Sequence, residues 1–138
     1  MRVFLDTNVL VSAFATRGLC ADVMRHVLAE HTLVTGEVVL AELRRVLRSR
    51  IRVPSKTVDA IEELLREHEV VARPETADLP EVRDPDDRWV LASAICGRAD
   101  VLITGDRDLL ELGSKSPLPI VDPRGFWVLL RGKPPSHR

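Results

Sequence analysis

Four acidic residues in this chain of 138 residues stand where a carboxylate can do chemistry. Asp6 directly follows the apolar run Val3–Leu5, and Asp106 follows a second apolar run across a short polar turn. Asp87 lies in the first turn of a predicted helix, and Glu42 lies beside the buried stripe of another. If such carboxylates gather 4–6 Å apart, each pair repels by roughly 1–4 kcal/mol.

A hard divalent cation would relieve this repulsion, because the motifs provide no fixed Lys or Arg that could do so. All-oxygen carboxylate sites suit Mg²⁺ or Mn²⁺, with water completing the coordination shell. No His or Cys accompanies the acids, which argues against zinc. Such a site can activate water and stabilise the charge that develops on a phosphodiester. The four acids together therefore favour a metal site over solvated surface charges.

Two of these acids also have a purely structural explanation, which the sequence leaves open. A helix N-cap followed by proline and first-turn acids is favourable, so helix capping accounts well for Asp84 and Asp86. Asp87 comes just before the apolar face of the same helix, where it either completes the helix start or serves the site. Glu42 either reaches solvent or pairs with Arg45, unless a cation binds it, because a buried unpaired carboxylate is costly.

The elements that must position these acids alternate along the chain. The predicted strands are Arg2–Leu5, Thr32–Thr35, Glu69–Ala72, Ala99–Thr104 and a short edge strand within Pro117–Val121. The predicted helices are 9–15, 20–31, 38–50, 54–68, 84–97, 108–112 and 123–130. This alternation predicts an α/β fold, a Rossmann-like three-layer α/β/α arrangement around a parallel sheet of four to five strands. Right-handed crossovers then bring the carboxyl ends of the strands, with Asp6 and Asp106, to one rim.

Composition narrows the class of protein. Hydrophobic residues make up 45% and charged residues 30% of the chain, which indicates a globular protein and not a disordered one. The formal net charge is −1, so any contact with nucleic acid must come from a local basic patch. Residues 1–131 are expected to form a single domain, and 132–138 a flexible C-terminal tail.

Location and redox state are also predicted from the sequence. Cys20 and Cys96 lie in apolar helical contexts, so we expect both to be free, buried thiols. No apolar stretch approaches the roughly 18–20 residues that a membrane span needs. Asp6 interrupts the place where the apolar core of a signal peptide would run, so we expect a cytoplasmic protein without a membrane partner.

Four motifs, in this order, resemble a PIN domain over nearly the whole chain. They are Asp6-Thr7-Asn8 after an apolar strand, Glu42 in the second main helix, Asp84-Pro85-Asp86-Asp87 with Ala92-Ser93-Ala94, and the stretch Leu102–Leu110. The likeness is greatest to the branch that contains toxins of toxin–antitoxin pairs. Each motif alone is weak, whereas all four with these spacings are a specific pattern. The resemblance implies a ribonuclease that depends on Mg²⁺ or Mn²⁺.

The resemblance also implies roles for individual residues and partners. It makes four acids both catalytic and metal-binding, namely Asp6, Glu42, Asp87 and Asp106. It gives a supporting role, next to the substrate or the metal ligands, to Asn8, Thr104 and Asp108. Asn8 and Thr104 would hydrogen-bond the carboxylates or the scissile phosphate. It further implies an RNA substrate, a small antitoxin protein that occludes the acidic cleft, and a homodimer.

Two other classes of protein also cluster acids at the end of a parallel sheet, but their motifs differ from those of this chain. A phosphatase of the haloacid dehalogenase type needs a second Asp two residues after the first, where this chain has Asn8. A response-regulator receiver domain needs a Lys after a late strand, and the turn at Asp106 offers none. A non-catalytic PIN-like module that binds RNA or protein remains the alternative. Three arginines near the predicted rim either touch phosphates or are simply solvated, namely Arg17, Arg88 and Arg107.

Overall fold

The sheet is built outwards from its central strand, β1 (Arg2–Leu5). A computed structural model describes residues 1–132 of the chain. The other strands are β2 (Thr32–Gly36), β3 (Glu69–Val71), β4 (Val101–Ile103) and β5 (Ile120–Val121). All pairings are parallel, and the strand order is β3-β2-β1-β4-β5. The predicted parallel α/β sheet is therefore confirmed, with five strands.

Helices connect the strands and cover the sheet. They are α1 (Thr7–Ala15), α2 (Leu19–Glu30), α3 (Glu37–Ser49), α4 (Ser55–Arg66), α5 (Pro85–Cys96), α6 (Arg107–Leu110) and α7 (Pro123–Arg131), with a 3₁₀ turn at Gly113–Lys115. The chain steps from β1 to β2 to β3 in one direction and from β3 to β4 to β5 in the other. Right-handed crossovers therefore place α1–α4 on one face and α5 on the other. None of the described helices is long and apolar enough to cross a membrane.

The burial of β1 on both faces explains why its residues form a continuous apolar run. Val3, Phe4 and Leu5 are all completely buried, because helices cover both faces of a parallel sheet. Val101 and Ile103 of β4 pair in register with Val3 and Leu5 and are equally buried. This register determines which residues of β1 and β4 lie side by side at the carboxyl edge of the sheet, and so it positions the site.

Most element boundaries moved by one or two residues from the prediction. Helix α1 begins at Thr7 instead of residue 9, because Asp6 caps it and accepts a hydrogen bond from the backbone N–H of Thr7. Strand β4 is shorter than predicted, since only Val101–Ile103 pairs within the sheet. The 3₁₀ turn was not predicted. The predicted tail lies outside the described residues except for Gly132, so the domain boundary at 131 stays a prediction.

The end of α5 shows close packing that the sequence did not reveal. Gly97 caps the helix with a φ of −79°, so it is not there for a left-handed backbone conformation. A Cβ at Gly97 would lie 2.8 Å from side-chain carbons of both Val34 and Val71, so glycine lets the helix end approach the sheet. Cys20 and Cys96 are free thiols, as expected, but Cys96 is exposed, so its predicted burial is wrong.

Candidate metal centre

The site begins at the point where the strand order reverses, between β1 and β4. Leu5 pairs with Ile103, so Asp6 and Thr104 come next to each other at the carboxyl edge of the sheet. The backbone N–H of Asp6 donates to the carbonyl oxygen of Ile103 at 2.9 Å and continues the ladder by one residue. Beyond this point the chain turns into α1 after β1 and into α6 after β4. In open α/β sheets such a reversal leaves a crevice in which ligands bind.

Asp6 is buried and firmly held at the floor of this crevice. Only 5% of the residue is exposed. One carboxylate oxygen accepts a hydrogen bond from the backbone N–H of Thr7 at 2.7 Å, and the other accepts one from the Thr104 hydroxyl at 2.7 Å. Burial raises the pKa of Asp6 above its ordinary value, partly offset by these hydrogen bonds. Its carboxylate is therefore oriented by the fold before any ligand binds.

Asp106 is tied to Asp6 through the same threonine. The Thr104 hydroxyl, which donates to Asp6, accepts a hydrogen bond from the backbone N–H of Asp106 at 2.9 Å. Asp106 also caps α6, because its Oδ1 accepts a hydrogen bond from the backbone N–H of Asp108 at 2.8 Å. Its side chain is half-buried at the rim. The two strand-end acids thus converge, as the sheet topology predicted.

Asp87 faces the same crevice from the first turn of α5. The residue is 8% exposed, and its Oδ2 has no hydrogen-bond partner anywhere in residues 1–132. Burial, together with the nearby carboxylate of Asp106, raises the pKa of Asp87 to about 8. Asp84 instead performs the capping role, accepting a hydrogen bond from the backbone N–H of Asp86 at 2.9 Å. The structure therefore separates the capping acid from the acid that faces the site.

Glu42 completes the group from α3. Its Oε1 accepts a hydrogen bond from the Thr7 hydroxyl at 2.7 Å, and its Oε2 lies 3.6 Å from a guanidinium nitrogen of Arg45. The predicted pairing with Arg45 is thus present, but it is longer than a hydrogen bond. Thr7 contacts both Asp6 and Glu42, a role that no spacing in the sequence indicates.

The four predicted acids line one cleft of about 310 Å³. Apolar side chains also line the cleft, those of Val11, Val46 and Ile51, and so do the polar residues Thr7, Asn8, Ser12 and Arg50. In the described part of the chain, no Lys or Arg forms an ion pair with any of three acids, namely Asp6, Asp87 and Asp106. Glu42 differs from these three acids, because a guanidinium nitrogen of Arg45 lies 3.6 Å from its Oε2.

Asp108 has a larger part in the acidic group than its predicted supporting role. Carboxylate oxygens of Asp87, Asp106 and Asp108 all lie within 4.8 Å of one another, a spacing that one cation can bridge. Asp108 also forms an ion pair with Arg83 at 2.8 Å. Arg83 belongs to the loop before α5, and no spacing in the sequence linked it to the site.

The remaining predicted residues are Asn8 and three arginines. Asn8 is exposed, and its side-chain oxygen accepts a hydrogen bond from the backbone N–H of Gly105 at 3.2 Å, which joins the turns after β1 and β4. Arg17 and Arg107 are exposed. The guanidinium of Arg88 donates a hydrogen bond to the carbonyl oxygen of Val82 at 2.6 Å. Arg88 therefore holds the loop that precedes α5, which is a structural role and not a phosphate contact.

The donor set fits a hard divalent cation. All its ligand atoms are carboxylate oxygens, as Mg²⁺ and Mn²⁺ prefer. A buried carboxylate oxygen without a partner is costly, so Asp87 Oδ2 marks the place where a ligand atom is expected. With a cation bound, the acids could all be ionised together. The arrangement is therefore suited to binding a metal next to a phosphodiester.

Comparison with known families agrees with this geometry. A family model described as PIN domain matches residues 2–108, from β1 to the first turn of α6, and includes every acid of the site. The chain belongs to the PIN domain family. A comparison with curated proteins gave no match.

Solved structures share the fold of this PIN domain at low sequence identity. One is VapBC2 from Rickettsia felis, in a crystal structure with a DNA fragment from the VapBC2 promoter. Its TM-score is 0.61 at 17% identity, and the match covers 88% of this chain and 98% of that one. VapBC-1 from nontypeable Haemophilus influenzae has a TM-score of 0.63 at 22% identity, covering 90% and 99%. FitAcB from Neisseria gonorrhoeae has a TM-score of 0.60 at 15% identity, covering 88% and 98%. The PIN fold therefore extends over almost the whole chain.

Proposed function

We propose that this PIN domain is a divalent-metal-dependent endoribonuclease and the toxin of a toxin–antitoxin pair. The observation that carries the proposal is the unpartnered, buried Oδ2 of Asp87 beside Asp6 and Asp106. A purely structural acid at a helix start would be exposed or hydrogen-bonded, as Asp84 is. Membership of the PIN family supports the proposed reaction class, hydrolysis of RNA phosphodiesters.

The proposed roles follow from how each acid is held. Asp6, Asp87 and Asp106 would hold Mg²⁺ or Mn²⁺, because they converge without a Lys or Arg ion pair in the described chain. A bound cation of this kind lowers the pKa of water and stabilises negative charge on a phosphodiester. Glu42 would hold a further cation or orient the attacking water, since its Oε1 is fixed by Thr7 and its Oε2 has only the longer contact with Arg45.

The neighbouring polar residues keep this arrangement rigid. Thr104 orients Asp6 and fixes the backbone of Asp106, and Asn8 joins the turns on either side of the crevice. Asp108 can add a carboxylate oxygen to the group if its ion pair with Arg83 opens. Such support around metal-binding carboxylates strongly affects metal affinity.

The proposed partners come from the related structures. Two of the similar solved structures are VapBC proteins and another is FitAcB, which supports a small antitoxin partner for this chain. We also propose a homodimer, and a cytoplasmic location where RNA and the antitoxin would both be available. An antitoxin that inhibits the enzyme would cover the acidic cleft.

The direct test is RNA cleavage by the purified full chain. We expect a mixed RNA pool to be cut with Mg²⁺ or Mn²⁺ and left intact with EDTA, with the cut sites mapped by sequencing. Asp6→Asn and Asp87→Asn should lower the rate by at least roughly a hundredfold, because each removes a charged ligand that acts on the transition state. Folded protein that binds metal but cuts no RNA would instead support the non-catalytic binding module.

A further inference from the structure

A second groove lies against the acidic cleft and shares Glu42 with it. It has a volume of about 340 Å³ and lies between α3 and the start of α5. Arg45 lines it from α3, Trp89 lines it from α5, and Arg73 lines it from the segment after β3. A ligand that occupies the acidic cleft and extends past Glu42 would therefore enter this groove.

The groove contains a flat cationic surface made by Arg73 and Trp89. The guanidinium carbon of Arg73 lies 4.0 Å from the centroid of the Trp89 ring, a cation–π contact. Arg73 is exposed, and within residues 1–132 it forms no ion pair with a carboxylate. Proteins that bind single-stranded RNA stack bases on aromatic rings and on guanidinium planes. The Arg73–Trp89 pair has the chemistry of such a stacking platform.

Arg45 supplies a second contact suited to the same ligand. Its side chain is 66% exposed, and its 3.6 Å contact with Glu42 is too long for a hydrogen bond. It lies within one helical turn of Glu42 and lines the same groove as the stacking platform. An arginine there can contact a backbone phosphate and fix the register of a strand.

The charge of the groove favours a single strand of nucleic acid over a duplex. Two carboxylates, those of Glu42 and Asp86, offset the two arginines, so the groove has no net positive field. Duplex binding depends mainly on such a field, whereas a single strand gains much of its affinity from base stacking. Bases in a duplex are also stacked on each other and cannot reach the platform. These features favour an unpaired strand.

We propose that this groove binds one nucleotide of single-stranded RNA next to the cleavage site, with its base on the Arg73–Trp89 pair and a phosphate at Arg45. The inference rests on the proposed ribonuclease function and adds where the strand runs.

The test measures binding of a short, fluorescein-labelled, single-stranded 2′-O-methyl oligoribonucleotide of mixed sequence to the full chain in Mg²⁺ buffer. Trp89→Ala should weaken binding by about fivefold to a hundredfold, the range for loss of one stacked base, and Trp89→Phe should retain most of the affinity. Arg45→Ala should weaken binding and reduce its salt dependence by about one phosphate contact. Arg48→Ala is the matched control, because Arg48 is an exposed arginine of the same helix that does not line the groove.

An abasic oligonucleotide of the same length separates stacking from backbone contacts. It should bind the wild type more weakly than the normal strand, and Trp89→Ala should not weaken it further. Thermal unfolding of each variant shows whether a loss of binding reflects a loss of folding. If Trp89→Ala does not fold, Trp89→Phe and Arg45→Ala still test the subsite.

The outcomes distinguish this proposal from the one on which it rests. RNA cleavage by the wild type, with equal oligonucleotide affinity in Trp89→Ala and wild type, would overturn the subsite alone. Equal weakening of normal and abasic strands by Trp89→Ala would also overturn it. No cleavage and no binding by the folded wild type would overturn both proposals.

Discussion

Thr104 is hydrogen-bonded to two acids of the site. Its fully buried hydroxyl donates to Asp6 and accepts from the backbone N–H of Asp106. Thr104→Val keeps nearly the same shape but leaves both partners unsatisfied. We expect the free energy of unfolding in urea to fall by about 1–3 kcal/mol. Thr104→Ser retains the hydroxyl and should lose less, so an equal loss in both variants would contradict this role.

Asp87 makes the stability of the metal-free protein depend on pH. Burial and Asp106 raise the pKa of Asp87 to about 8 in the folded state, well above its ordinary value. The folded protein therefore holds a proton that the unfolded chain has already released, and its stability falls as the pH rises from about 4 to about 8. Asp87→Asn removes this ionisation and the repulsion that accompanies it.

The measurement is urea unfolding in EDTA at pH 4 and pH 9. Near pH 4 the wild type and Asp87→Asn should differ little, because Asp87 is protonated in the folded protein and partly so in the unfolded chain. At pH 9 the variant should be more stable by roughly 1–3 kcal/mol, the repulsion expected between semi-buried carboxylates. A gap that is constant across this range would show that Asp87 does not titrate in the site.

Single residues also mark the limit of what sequence could predict. Asp6 and Asp106 were predictable, because each follows an apolar run at the carboxyl end of a strand. The contact of Thr7 with Glu42 joins residues 35 apart, and that of Arg83 with Asp108 joins residues 25 apart. Such side-chain pairs depend on how helices and loops pack, which neither periodicity nor spacing reveals.

At the scale of elements, the start of α5 separates the acid that caps the helix from the acid that we propose to bind the metal. Asp84 caps the helix and Asp87 faces the cleft, although they are three residues apart. Asp84→Ala should lower the free energy of unfolding by about 1 kcal/mol, while Asp84→Asn keeps a capping side chain and should lose little. Thermal shifts on adding Mn²⁺ should persist in both variants. Loss of the Mn²⁺ shift in Asp84→Asn, with the shift kept in Asp87→Asn, would reverse the assignment.

Element boundaries show which local signals were sufficient. The helix from Asp84 to Gly97 was predicted almost to the residue, because a capping acid, a proline and a terminal glycine all agreed. The start of α1 was missed, because Asp6 acts both as its cap and as a site acid. The close approach of Gly97 to Val34 and Val71 is a tertiary contact, so the sequence suggested only a helix end.

At the scale of the whole molecule, the strand order explains why distant acids meet. Alternating strands and helices predicted a parallel sheet, but they did not specify the order β3-β2-β1-β4-β5. That order places the ends of β1 and β4 at the reversal point and brings α3 and α5 to its sides. The match of residues 2–108 to the PIN domain agrees with this arrangement.

Equilibrium binding of Mn²⁺ to the full chain, followed by the electron paramagnetic resonance signal of free Mn²⁺, tests the metal site most directly. We expect the wild type to bind Mn²⁺ and Asp87→Asn to bind it at least about tenfold more weakly, since even outer-shell changes cost that much. Asp78→Asn, which removes an exposed acid away from the cleft, should bind Mn²⁺ like the wild type. Equal affinity in Asp87→Asn and wild type, or no binding by the folded wild type, would contradict a metal centre at these acids.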